Sequence, residues 1–185
     1  MHKITYLIVI LLMQSCSNDV ILKGLLNRYV NIPETLEVIK NGQFINDEYQ
    51  APIKLVQLYT LNNCTSCAIG SIYYKEKLFG LADEKDFCPM LIISPTGQYD
   101  DIVRQIKHQR HPFNVYIDRE NAFLQLNPFI PQYDLRYHSF LLDKNNKIVL
   151  VGDPTSNNTL WMLYKRIIKN MIRNDGIYVS DIDSI

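Results

Sequence analysis

The sequence predicts an α/β protein with a mixed central sheet of about five strands and helices on both faces of the sheet. Short apolar runs of strand length alternate with amphipathic helical patterns from residue 53 onward. A hairpin pattern and a long amphipathic helix follow near the end of the chain. The early βαβ units favour parallel strand pairing, whereas the late hairpin adds an antiparallel pair.

Five segments have the length and apolar content of strands. The first two are nearly continuous apolar runs, as expected for strands buried on both faces. The last two flank a polar turn and form a hairpin across Asp143-Lys144-Asn145-Asn146-Lys147. The predicted strands are Lys54–Leu61, Met90–Ser94, Phe113–Ile117, Ser139–Leu142 and Ile148–Val151.

Four helices are predicted between and after these strands. Thr65 and Ser66 are suited to cap the first helix, which ends before Gly80. Asp100 and Asp101 occupy the first turn of the second, where a negative charge complements the helix dipole. The predicted helices are Ser66–Phe79, Gln98–His108, Asn121–Leu126 and Thr159–Arg173, which gives the order β-α-β-α-β-α-β-β-α.

The amino-terminal part is less regular. Ile21–Val30 suits a short helix that Pro33 interrupts, Leu36–Ile39 suits a short strand, and Asn41-Gly42 indicates a turn. We therefore expect a signal peptide at residues 1–15 and a tether with an edge element at 16–52. The main domain then covers 53–174, and 175–185 form a tail.

The first residues have the pattern of an export signal. Lys3 is followed by an apolar run from Ile4 to Met13 that is too short to span a bilayer but suits a secretory signal. Gln14-Ser15-Cys16 resembles the lipobox of bacterial lipoproteins, in which the cysteine is lipidated and becomes the new amino terminus. Met13 and Gln14 depart from the preferred residues, and an ordinary signal peptide is the alternative. We expect lipidation at Cys16, and a lipid-anchored protein of the bacterial cell envelope that faces the periplasm or the cell surface.

Composition indicates a folded domain and argues against a polyanionic partner. Hydrophobic residues make up 47% of the chain and charged residues 21%, which is enough apolar material for a core. The formal net charge is zero, with 19 basic and 19 acidic residues, so nothing indicates a nucleic-acid partner.

The spacing of Cys64 and Cys67 carries the chemistry. Cys64-Thr65-Ser66-Cys67 lies where a predicted buried strand leads into a helix. A thiol at a helix amino terminus faces the positive end of the helix dipole, which favours its thiolate. The second thiol is one turn away, within reach of a disulfide, as thiol–disulfide exchange requires. Cys88, in the next predicted strand, is expected to be a buried thiol.

Two landmarks make residues 53–174 similar to the thioredoxin fold, and specifically to membrane-anchored TlpA/ResA-type thioredoxin-like proteins. One is the strand, CxxC and helix at Leu55–Leu61, Cys64–Cys67 and Ala68 onward. The other is Ser139–Gly152, which is similar to the family's "TFLID(K)DGKI…G" hairpin. The resemblance implies a thiol–disulfide oxidoreductase that needs no cofactor. Its partners would be protein thiols and disulfides, and a membrane reductant would supply the electrons.

Three family features are missing. Tyr137 stands where the family has a cis-proline, and we expect a trans bond there because a non-proline cis bond costs about 3 kcal/mol. Leu58, with Gln57 beside it, occupies the position of a buried acid. Leu61-Asn62-Asn63 replaces a segment that carries tryptophan in the family.

The sequence leaves three functions open. In the first, Cys64 is the attacking thiolate and Cys67 resolves the mixed disulfide. In the second, His138 joins the two cysteines in a site for copper(I) or zinc, although a loop histidine bonded to the backbone is the simpler interpretation. In the third, the chain is a redox-inactive binding lipoprotein, which the missing proline and acid favour.

Overall fold

The computed structural model of the protein describes residues 20–46, 51–60, 65–95, 97–131 and 134–179, and for residues 65–68 it describes the backbone only. The strands are β1 (Glu37–Lys40), β2 (Gln43–Ile45), β3 (Ile53–Thr60), β4 (Phe87–Ser94), β5 (Val115–Ile117), β6 (Ser139–Leu142) and β7 (Ile148–Val151). The helices are α1 (residues 20–25), α2 (Thr65–Ile72), α3 (Tyr99–Gln109), α4 (Ala122–Leu126) and α5 (Asn158–Arg173), with 3₁₀ helices at Tyr73–Gly80 and Leu135–Tyr137.

The strands form one mixed sheet in the order β2-β1-β5-β4-β3-β6-β7. The three central strands β5, β4 and β3 are parallel, and β1 and β6 join them antiparallel on either side. Lys54 on β3 pairs with Leu142 on β6, and Gln57 pairs with Ser139. The start of β3 therefore lies beside the β6–β7 turn, and its end lies on the opposite edge of the sheet.

Side-chain alternation along β3 builds a core on each face of the sheet. Ile53 and Leu55 belong to one core with residues of α2, α3 and α5, whereas Val56 and Leu58 belong to the other core with residues of α4. Helices thus cover both faces, as the sequence predicts.

The sheet has seven strands, so the prediction of about five was wrong. The extra pairing is the β1–β2 hairpin, where Asn41 and Gly42 have φ angles of 51° and 79°. Gly42 also lies close to α3, because a Cβ atom there would come within 2.6 Å of the Lys107 carbonyl oxygen. All three residues of the short β2 strand are exposed, and they carry no apolar alternation that would have predicted the strand.

The helix predicted at Ser66–Phe79 is also different, because α2 ends at Ile72 and a 3₁₀ helix continues to Gly80. The two buried residues of the 3₁₀ segment, Lys75 and Leu78, are three positions apart. This spacing suits the three-residue turn of a 3₁₀ helix, which brings both side chains to the same face.

The amino-terminal segment is attached to two elements. The Asn27 and Val30 amides donate to β6–β7 hairpin carbonyls, and the Ile148 amide donates to the Arg28 carbonyl. The buried Asn127 side chain, just after α4, accepts from the Asn31 amide and donates to the Asn31 carbonyl, at 2.8 Å each. These bonds fix residues 27–31 against the body of the fold.

Candidate functional site

The CxxC motif spans the junction between β3 and α2. β3 ends at Thr60 and α2 begins at Thr65, so Cys64 directly precedes the helix in the chain. Cys64 itself lies outside the described residues, as does Cys16. Cys67 is the third residue of α2, and its side chain is not described.

α2 is held on the sheet by Ile69 and Ile72, both completely buried in the core shared with α3 and α5. Its first turn follows the carboxyl end of β3, next to the carboxyl end of the parallel strand β4. Open α/β sheets bind their ligands at this edge. The helix therefore presents the Cys67 end of the motif at the edge where a site is expected.

The loop before β6 crosses the same edge of the sheet. The backbone carbonyl oxygen of His138 accepts a hydrogen bond from the Leu58 amide at 2.8 Å. The peptide bond before Tyr137 is trans, as expected, and Tyr137 is buried. An aromatic residue thus occupies the position at which the sequence resemblance implied a cis-proline.

His138 is bound to the backbone through its ring. Its Nε2 lies 2.7 Å from the Pro131 carbonyl oxygen, and burial lowers the pKa of the imidazole, although this hydrogen bond opposes the shift. Among the described residues, no group of three or more histidine, cysteine or acidic side chains is placed to hold a metal ion.

A buried polar network lies beneath α2, on the side of β3 opposite to Leu58. The Gln57 amide donates to Asp153 Oδ1 at 2.9 Å and to Ser139 Oγ at 3.3 Å. The Tyr59 hydroxyl donates to Gln57 Oε1 at 3.3 Å and is also bonded to Ser71 of α2. Ser71 follows Cys67 by four residues, so the two positions share one face of the helix.

The network contains one pair of opposite charges, on Lys75 and Asp153. Lys75 Nζ lies 2.5 Å from Asp153 Oδ2 and 2.7 Å from Thr155 Oγ1. Burial alone would raise the pKa of Asp153, but its bonds to Lys75 and Thr155 outweigh burial and lower it. Burial and the charge of Asp153 together raise the pKa of Tyr59, so its hydroxyl keeps its proton at neutral pH. The network therefore contains one ion pair and neutral hydroxyl and amide groups.

Cys88 is far from this edge. It pairs with Lys54 at the start of β3 and β4 and is only partly buried, which is less than expected. Its Sγ atom lies 3.5 Å from the Tyr116 hydroxyl. Cys88 therefore stands apart from the end of α2 that carries Cys67.

Known structures share this architecture. A thioredoxin-like superfamily protein, SPOA0173, superposes with a TM-score of 0.50 and 12% identity over 78% of this chain and 96% of its own. The chain has a thioredoxin-like fold. A putative electron transfer protein from Aquifex aeolicus gives a TM-score of 0.48 with 14% identity, covering 77% of this chain and 97% of its own. The exposed lipoprotein thioredoxin Etrx1 from Streptococcus pneumoniae gives 0.45 with 15% identity, covering 64% and 86%.

By sequence, no family model and no curated protein matches the chain. Among the described residues of the thioredoxin-like chain, no helix has the length and apolar character needed to cross a membrane.

The sequence interpretation missed the residues that surround α2. Asp153 is 96 residues away from its partner Gln57, and Lys75 is 78 residues away from its partner Asp153. One signal was present, since the polar residues Gln57 and Tyr59 alternate with apolar residues in the second half of β3. Such alternation indicates that one face of the strand meets polar groups.

Proposed function

We propose that the protein exchanges thiols and disulfides with exported protein partners through Cys64 and Cys67. The observation that supports the proposal is the start of α2 at Thr65, the residue that follows Cys64 in the sequence, in a chain with a thioredoxin-like fold. The helix dipole and the unpaired amides of the first turn favour a thiolate at such a position.

The exchange transfers two electrons from the CxxC pair to the partner disulfide. The Cys64 thiolate attacks one sulfur of a partner disulfide, which forms a mixed disulfide and releases the partner's other sulfur as a thiolate. The Cys67 thiolate then attacks the Cys64 sulfur, which forms the Cys64–Cys67 disulfide and releases the second partner thiolate. The partner is reduced and the CxxC pair is oxidised. A membrane reductant restores the dithiol by the reverse exchange.

We further propose that Cys16 carries a lipid that anchors the chain to the bacterial cell envelope. The basic start, the short apolar run and Ser15-Cys16 support this assignment. The mass of the mature amino terminus tests it. A diacylated Cys16 is expected, and an unmodified amino-terminal residue contradicts the anchor while leaving the exchange proposal intact.

The exchange itself is tested with a model disulfide and three variants. Cys64→Ser is expected to abolish exchange, whereas Cys67→Ala accumulates a mixed disulfide with the partner at Cys64. Cys88→Ser is the matched control, because it removes a thiol at the other end of the strands and leaves exchange unchanged. Wild-type protein that shows no exchange contradicts the proposal.

A redox-inactive binding protein is the second candidate. Tyr137, in its trans conformation, and the apolar Leu58 favour it, because both replace groups that the related family uses in exchange. The exchange experiment distinguishes the two candidates. A Cys64–Cys67 disulfide that forms but does not exchange with the model disulfide supports a binding protein.

A further inference from the structure

The exposed face of α5 is basic and apolar. From residue 162 to the end of the helix, every exposed position carries a cation or an apolar side chain, and none is acidic. We call these residues the α5 stripe: Met162, Lys165, Arg166, Lys169, Ile172 and Arg173. At 100° per residue, the four cations fall within an arc of roughly 100°.

The cations of the stripe form no ion pair in the part of the chain that the structure describes. Within the described residues, no carboxylate lies within ion-pair distance of any of the four. Four cations without an ion-pair partner among the described residues therefore lie together on one helix face.

The two flanks of the stripe differ in charge. On one side, a groove of about 860 Å³ separates α5 from a loop that carries Asp83, Glu84 and Asp86. On the other side, a groove of about 370 Å³ contains no acidic residue in its described lining and includes the exposed Tyr178. Among the described lining residues, carboxylates therefore lie on one flank of the stripe and not on the Tyr178 flank.

Apolar groups lie within the charged arc. Met162 is 57% exposed and Ile172 is 40% exposed, and Trp161 at the border of the stripe lies under Lys77 and Lys165. Basic residues interspersed with apolar and aromatic side chains on one helix face suit the interface of an anionic bilayer. A partner that offers only carboxylates would leave the exposed Met162 and Ile172 without apolar contact.

The chain that follows α5 and the amino-terminal segment are both bound to the β6–β7 turn. The Val30 amide bonds to Asn146 in the β6–β7 turn, and the Lys144 amide in the same turn bonds to the Gly176 carbonyl just after α5. The amino-terminal segment and the end of α5 therefore meet at one turn. Cys16 precedes the first described residue, Val20, by only four residues, which span at most about 14 Å.

We propose that the α5 stripe rests on the anionic surface of the bilayer that holds the Cys16 lipid. This inference depends on the proposed anchor at Cys16, and it adds a second, electrostatic contact to it. The β6–β7 turn lies beside Lys54, whereas Cys67 follows Thr60, so about 20 Å of β3 separates the two ends. The carboxyl end of the stripe, which is next to this turn, therefore lies away from the Cys67 end of α2.

The test measures how the full chain with Cys16→Ser partitions onto vesicles. Vesicles of phosphatidylcholine alone are compared with vesicles containing about 30% phosphatidylglycerol, at low and high salt. The amino-terminal run is present in every variant, so its contribution cancels in the comparison. The stripe variant replaces Lys165, Arg166, Lys169 and Arg173 by Gln. The control variant replaces Lys40, Arg104, Lys107 and Arg110 by Gln and has the same net charge.

We expect the wild type and the control variant to prefer anionic vesicles by about tenfold or more at low salt, and the stripe variant to lose most of this preference. High salt should abolish the preference in all three. Equal preference in the stripe variant and the control, or no preference in the wild type, overturns the proposal and leaves an acidic protein as the alternative partner. If the stripe variant does not fold, single Lys165→Gln and Lys169→Gln variants must each lose part of the preference. Lipidation is read separately from the mass of the wild-type amino terminus, so failure of the anchor is distinguished from failure of the stripe.

Discussion

Asp118 and Asp153 each lie within two residues of the end of a strand, but they hold together different parts of the fold. Asp118 is buried after β5 and accepts the Ala122 and Phe123 amides at 2.9 Å each and the Ser94 hydroxyl at 3.1 Å. Two of its three partners lie within five residues. Its carboxylate caps α4 and closes the loop between β5 and that helix.

Asp153 follows β7 and has long-range partners. It accepts from Gln57 on β3 and from Lys75 in the 3₁₀ helix after α2, which are 96 and 78 residues away in the chain. Its Oδ1 atom also accepts the Thr155 amide at 2.8 Å. Asp118 is therefore a local capping acid, whereas Asp153 joins three segments around the helix that carries Cys67.

The loss of the local acid should have the largest effect on stability. Asp118→Ala leaves two buried amides and a hydroxyl without an acceptor, and we expect it to lower the free energy of unfolding by about 3 kcal/mol. Denaturant unfolding measures this loss. Asp118→Asn keeps one side-chain oxygen and should lose about half as much. An equal loss in both variants would show that the contacts of a single oxygen do not matter.

The loss of Asp153 should lower the free energy of unfolding by less than the loss of Asp118, but it should affect contacts in more segments of the chain. The Asp153 side chain is 36% exposed, so solvent weakens its pair with Lys75, whose side chain is 11% exposed. We expect Asp153→Asn to cost about 2 kcal/mol. In a double-mutant cycle with Lys75→Met, the two losses should be less than additive.

The same comparison extends to the thiols. Of the two acids, Asp153 belongs to the network that contacts α2, through Ser71. With Asp153 neutral, the positive charge of Lys75 is unpaired, which favours a thiolate nearby. In a Cys64→Ser background, Asp153→Asn should therefore speed alkylation of Cys67 and Asp118→Ala should not. An equal response to both substitutions would remove the distinction between the two acids.

The two acids also illustrate what the sequence could predict. α3, α5 and the β6–β7 hairpin carry their periodicity within short windows, and the structure has them within one or two residues of the predicted ends. Asp118 belongs to the same class, because its partners are local. The contacts of Asp153 depend on how distant segments meet in the sheet, and no local pattern contains that information.

The remaining differences between the predicted and the observed elements each have their own cause. β2 was missed because its three residues are all exposed, although the Asn41-Gly42 turn before it was recognised. The change from α2 to a 3₁₀ helix follows from the burial of Lys75, which requires its partner Asp153. Of the CxxC pair, the sequence predicted the junction of strand and helix, which the ends of β3 and α2 confirm. The roles of the two thiols stay a prediction.

The pH dependence of stability offers a milder test of the region around Asp153. His138 precedes Ser139, which bonds to Gln57, and burial lowers the pKa of its imidazole. Because the unfolded chain binds the proton more readily, stability should be complete above the ordinary histidine pKa near 6.5 and should fall as the pH drops below it. His138→Gln should flatten this part of the unfolding profile. Burial also lowers the pKa of His111, so His111→Gln should flatten it too, and the double variant most.

The smallest effect is expected from an ion pair that lies outside both networks. Lys144 bonds to Asp175 at the surface, where the Asp175 side chain is 93% exposed. Exposed pairs gain little because water screens their charges and ordering two side chains costs entropy. Lys144→Met should therefore leave the unfolding midpoint unchanged, since the backbone bond from the Lys144 amide to Gly176 remains. Lys75→Met removes the same type of charge from a partly buried pair, so an equal shift in the two variants would mean that burial does not explain the strength of the Asp153 network.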